Sequence, residues 1–128
     1  MRFGTAFTAV AAAVASLEFA GLGLAGVITL TNADNNKVLN VKVGDNVEVR
    51  LTAYREKNVR WSYTRPVSTD THVLVAKNHA LKPNGGARGN FHAAEPGTAQ
   101  IKSEESCTSM GAPCSDINKL WKVTVKID

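Results

Sequence analysis

The chain is poor in the residues that most chemistry requires. Its 128 residues include two cysteines, three histidines, two tryptophans and two tyrosines. Two cysteines cannot close a structural zinc site, which takes four ligands. His72, His79 and His92 lack the two-apart or four-apart separations that set ligands on one face of a strand or helix, so they read as surface histidines. Ser68, Asp70 and His72 contain the residue types of a nucleophile triad. Two apart on an extended segment, they point the same way without converging, and no Gly-x-Ser-x-Gly elbow activates the serine. Asn84-Gly85-Gly86 is followed by neither Lys-Ser nor Lys-Thr, which excludes a phosphate-cradling loop. Glu104, Glu105 and Asp116 bracket a cysteine loop without the Asp-rich spacing of a calcium site, and read as solvated charges. The sequence predicts no catalytic residue, no metal and no cofactor.

Amphipathic helices are also missing beyond the N-terminal run, which excludes βαβ architectures. What is present is two-residue alternation. In the last eight residues Trp121, Val123, Val125 and Ile127 share one face, and Lys122, Thr124 and Lys126 the other. That period marks a strand with a dry side and a wet side. Further strands are expected at Val27–Thr31, Leu39–Val43, Val47–Leu51, Val59–Tyr63, His72–Lys77, Ala87–Ala93 and Ala99–Ile101. Gly44-Asp45 and Pro96-Gly97 supply turns, each predicted to join its flanking strands as a hairpin. Trp61 sits where sandwiches often place an inter-sheet plug, and Trp61, Phe91 and Trp121 are expected in the core. The prediction is all-β: an immunoglobulin-like antiparallel β-sandwich of about seven to eight strands.

The chain opens with Arg2 and an uncharged, Ala-rich run from Phe3 to Ala15, followed by apolar residues to Gly26 with one interruption at Glu18. This has the form of a signal peptide over residues 1–25, with cleavage between about 15 and 25, leaving a 26–128 domain. Glu18 argues against a permanent membrane span, because a carboxylate inside the bilayer costs about 2.5–3.5 kcal/mol. Removing Arg2 and Glu18 leaves the net charge at +4. In an exported protein Cys107 and Cys114 are expected to form one local disulfide. The expected location is secreted or cell-envelope.

Ile28 to Lys37, Val41-Lys42-Val43-Gly44-Asp45, Val47 to Leu51, Trp61 and the Gly85-Gly86 pair before Phe91 resemble chagasin-type inhibitors of cysteine proteases. The resemblance is in strand pattern and covers nearly all of residues 26–128. It implies a secreted immunoglobulin-like sandwich that blocks papain-like enzymes with three loops at one end. That family's first loop carries Asn-Pro-Thr-Thr-Gly, where this chain has Thr52–Asn58 with neither Pro nor Gly. Its third loop carries Arg-Pro and an aromatic, where this chain has the Cys107–Cys114 segment with Met110.

Loops held on a rigid sandwich are where binding is expected. Thr52–Asn58, Lys82–Gly86 and Ser106–Asn118 are expected to share one end, with Tyr54, Arg55, Lys57, Asn84, Gly85, Gly86 and Met110 as contact residues. Tyr54, Arg55 and Lys57 have no packing duty apparent in the sequence. The reading is a non-enzymatic binding module with a protein partner, a cysteine protease in its sharpest form. The alternative is an adhesive envelope protein that uses the basic, aromatic run Arg50–Arg65 to hold an anionic wall polymer. Nucleic acid is not an expected partner.

Overall fold

The computed structural model describes residues 16–18, 26–114 and 119–128. Alternation decides the architecture. In the strand Asn46–Leu51, Val47, Val49 and Leu51 are buried, while Glu48 and Arg50 face water. Ala87–Ala93 buries every second residue, Phe91 among them, and Lys119–Ile127 buries Trp121, Val123, Val125 and Ile127. Each strand so patterned must lay its dry side on another layer. Burial of each such aliphatic or aromatic side chain contributes about 1.5–3 kcal/mol.

Eleven strands run in chain order among the described residues: β1 (Ser16–Glu18), β2 (Val27–Leu30), β3 (Val38–Val41), β4 (Asn46–Leu51), β5 (Tyr54–Glu56), β6 (Val59–Tyr63), β7 (Val67–Ser68), β8 (Leu74–Leu81), β9 (Ala87–Ala93), β10 (Gly97–Ser109) and β11 (Lys119–Ile127). They form two sheets. One has four strands in the order β2-β4-β9-β8. The other has seven, in the order β1-β3-β11-β10-β6-β5, with β7 paired to β10. The count exceeds the expected seven to eight because β1, β5 and β7 are too short to leave a periodic signature.

Two expected hairpins are absent. The Gly44 turn does not pair β3 with β4: β3 lies in the seven-stranded sheet and β4 in the four-stranded one. Its backbone is tied instead to the end of β9, with Gly44 N donating to Ala93 O (2.8 Å) and Ala93 N to Asp45 O (2.9 Å). The buried Asp45 carboxylate accepts from Gly26 N and Lys42 N, both at 2.9 Å, which closes the turn and anchors the start of β2. The Pro96-Gly97 turn likewise carries the chain from β9 in one sheet to β10 in the other. The alternation specifies a dry side for each strand; both sides of such a turn can look inward either as one sheet's hairpin or as two facing layers.

Crossing between layers also changes strand direction within a sheet. The expected antiparallel sandwich is mixed, with β2 parallel to β4, β3 parallel to β11 and β1 parallel to β3. The long antiparallel hairpin is β10–β11, in register from Gly97↔Ile127 to Glu105↔Lys119. Trp121 fills the space between the sheets and donates from Nε1 to Thr31 O at 3.1 Å. Trp61 is buried as well but stands apart from the main apolar cluster, so the inter-sheet plug is Trp121. The leader expected over 1–25 lies outside the described residues except for Ser16–Glu18, which form β1 at the sheet edge. Among the described residues no helix is long and apolar enough to cross a membrane.

Candidate functional site

The end of the sandwich where β4, β8 and β10 finish is built from three connections. In the first, Thr52–Asn58 is a hairpin and not the open polar loop expected from its composition. Tyr54 pairs with Trp61, Arg55 with Arg60 and Glu56 with Val59. The two turn residues, Lys57 (φ 51°) and Asn58 (φ 65°), are both left-handed, as a tight two-residue hairpin turn demands. Asn tolerates that conformation and Lys pays for it sterically, so Lys-Asn carries no strong turn signal in a sequence.

Tyr54 has a packing duty after all. Its ring stacks on Trp61 with centroids 6.4 Å apart, and its hydroxyl donates to Glu105 Oε1 at 2.7 Å. Glu105 is buried, and Tyr63 stands directly opposite it on β6. Burial holds the Tyr54 phenol well above the usual 10.0, and the accepting, negatively charged Glu105 adds to the effect. Burial likewise raises Tyr63, with the Glu105 charge reinforcing it. Lys119 completes the cluster, its ammonium 4.3 Å from the Trp61 ring centroid and 3.9 Å from Glu56 Oε1.

The second connection, between β8 and β9, is closed by Gly85 N donating to Lys82 O (2.9 Å) and Lys82 N to Gly86 O (2.8 Å). Gly85 (φ 89°) turns its carbonyl to Tyr63 N at 3.0 Å, and the Arg60 guanidinium donates to Asn84 O. A Cβ on Gly86 would lie 2.6 Å from Leu51 O, so only glycine lets this turn press against the end of β4. In the third connection Cys107 and Cys114 are disulfide-bonded with Cα atoms 5.8 Å apart. Met110 N donates to Asn58 O at 2.9 Å, joining this segment to the first hairpin.

The structure therefore brings the three predicted connections together, the third as far as Cys114; the rest of Ser106–Asn118 lies outside the described residues. Arg55, Lys57, Asn84 and Met110 are exposed on that edge. Tyr54 is half-buried and committed to Glu105, and Gly86 is buried, which corrects their assignment as free contact residues; Gly85 is half-buried. Sequence reasoning missed Glu105 and Lys119. Glu105 shares the parity of the buried Ala99, Ile101 and Ser103, so carrying the alternation four residues further would have placed it inside. Beside the edge lies a depression of about 590 Å³ lined by Tyr63, Val67, Leu81 and Leu120 among others, and the last three are large apolar residues open to solvent.

The histidines are dispersed. His72 is exposed beside Asp70, His79 is exposed on β8, and His92 Nδ1 contacts Asn46 Oδ1 at 2.9 Å. Among the described residues no group of three His, Cys, Asp or Glu side chains could hold a metal ion. Ser68, Asp70 and His72 form a turn, in which the Asp70 carboxylate accepts from the backbone N–H of His72 and Ser68 bonds back to Asp70.

No protein-family model matches the sequence, and no curated protein matches it. Solved structures do. The cysteine protease inhibitor EhICP2 from Entamoeba histolytica superimposes with a TM-score of 0.55 at 14% identity, over 80% of this chain and 96% of that one. A PixA-type inclusion body protein from Burkholderia cenocepacia gives 0.49 at 10% identity, covering 70% of this chain and 59% of its own. PbICP-C, solved in complex with falcipain-2, gives 0.45 at 12% identity, covering 88% and 98%. The match to the Entamoeba inhibitor identifies a common fold: two facing β-sheets of the immunoglobulin-like kind, as the strand pattern predicted.

Proposed function

We propose that this chain is an exported, non-enzymatic binding module that inhibits papain-like cysteine proteases with the joined edge of its sandwich. The observation that carries the reading is the convergence of three connections into one edge, on a fold shared with a cysteine protease inhibitor. Lys57, Asn84 and Met110 stand at the exposed tips of those connections. The β5–β6 hairpin is backed by the Tyr54–Trp61 stack, and the third segment is stapled by Cys107–Cys114. A wedge so braced loses little conformational freedom on docking, and that saving goes directly into affinity. The basic tips Arg55 and Lys57 would meet acidic positions at the rim of the partner's cleft, and Met110 would fill an apolar hollow. Export is supported by the leader-like start of the chain and by the disulfide, which persists in an oxidising compartment.

Papain with a fluorogenic peptide tests this. The purified domain slows turnover competitively, and the triple variant Lys57→Gly/Asn84→Gly/Met110→Asp weakens inhibition about a hundredfold, the scale of a lost central hot spot. Full papain activity at micromolar concentrations of the domain would retire the reading.

A further inference from the structure

The four-stranded sheet turns a wet face to solvent, and on it two like charges stand side by side. Arg50 of β4 and Arg88 of β9 are directly opposite in the antiparallel register. Like charges so placed repel unless a counter-charge intervenes. Glu48 intervenes for both: its Oε2 lies 3.1 Å from Arg50 Nε and 3.4 Å from an Arg88 terminal nitrogen. One carboxylate between two guanidiniums leaves a surplus positive charge, and Lys82 from the β8–β9 turn adds another. With Thr52 and Asn84, these three cations line a cleft of about 280 Å³. An adjoining cleft of about 300 Å³ shares Arg88 and is lined by Glu48, Asn78, His79 and Asn90, so its cation is balanced by a carboxylate.

We propose that these two clefts form a binding site for an acidic polysaccharide, a function separate from protease inhibition. An acidic unit would sit in the first cleft, where each arginine meets Glu48 through a single nitrogen and keeps other N–H groups for a sulfate or carboxylate. A neutral unit would sit in the second, where amide side chains match sugar hydroxyls. No Phe, Tyr or Trp lines either cleft, so the stacking platform that single-stranded nucleic acid uses is missing. The site lies on the outer face of one sheet and meets the protease-facing connections at Thr52, Lys82 and Asn84, apart from the exposed tips Lys57 and Met110.

The test is fluorescence anisotropy of labelled heparin and labelled polygalacturonate with the full chain, at low and raised salt. Binding to at least one of them, weakening as salt rises, is expected; heparin alone would assign the recognition to sulfate, and both would show that carboxylate suffices. Lys82→Gln/Arg88→Gln is expected to weaken binding about tenfold and flatten the salt dependence, with an unchanged circular dichroism spectrum. Lys42→Gln/Lys126→Gln, which removes the same charge from exposed positions at the other end, is expected to change little. Should the double variant fail to fold, Lys82→Gln alone, which touches no ion pair among the described residues, carries the test. Equal losses in both pairs, no binding to either polymer, or tighter binding to a single-stranded oligonucleotide would overturn the proposal.

Discussion

Glu105 shows how one residue can organise an end of a protein. It enters the interior because β10 alternates strictly, and once there it must be satisfied: Tyr54 donates to it and Tyr63 lies opposite. The chain has two tyrosines, and both stand at this carboxylate. Both phenols hold their protons beyond the usual 10.0. Above that pH the unfolded chain releases tyrosine protons that the folded chain keeps, so stability falls as pH rises through and beyond 10. Alkaline titration followed by tyrosinate absorbance is expected to show no ionisation near 10 in the native protein and two groups near 10 in guanidinium. Two native tyrosines titrating normally would remove Glu105 from the interior. The sequence contained this in the parity of residues 99–105. It hid the partner, because Tyr54 lies some fifty residues away and its role depends on a hairpin with a weak signal.

At the scale of elements, the long strands were legible and the short ones were not. β4, β9, β10 and β11 alternate over enough residues to declare their dry sides. β5 has three residues, and β7 has two, so pairing with β6 and β10 defines them rather than any pattern of their own. The β5–β6 turn offers a direct check. Lys57 is exposed with φ 51°, a conformation that disfavours any residue with a Cβ by about 1–2 kcal/mol, while glycine's extra unfolded freedom returns about 0.5–1. Lys57→Gly is therefore expected to raise stability by about 0.5–1 kcal/mol in urea unfolding, from the difference of those two terms. A loss of stability would mean that the turn is not the left-handed pair described above.

At the scale of the whole molecule, the fold class followed from the lack of amphipathic helical patterning beyond the N-terminal run and from the count of alternating segments, whereas topology did not. Period-two patterning cannot tell a hairpin from a turn that passes between layers, and both turns read as hairpins take the second course. At the proposed binding edge the shared end of the three connections was legible, but not the contacts that join them, since these link Asn58 to Met110 and Tyr63 to Gly85 across long stretches of chain. Its stiffness depends on the staple. Cys107→Ser/Cys114→Ser is expected to cost about 2–3 kcal/mol of global stability by freeing a short loop. Inhibition of papain should fall further than that variant's folded fraction accounts for, because ordering the segment becomes part of docking. Unchanged inhibition by the folded variant would show that the third connection stays clear of the partner.

The passage of the Gly44 and Pro96-Gly97 turns from one layer to the other has a mechanical result. Strands β2 to β5 alternate between the two sheets and the chain crosses again after β7 and after β9, like cloth stitched through both thicknesses. Neither layer can peel away as an autonomous unit, so the inner strands should open together or not at all, and local breathing is left to the edge strands.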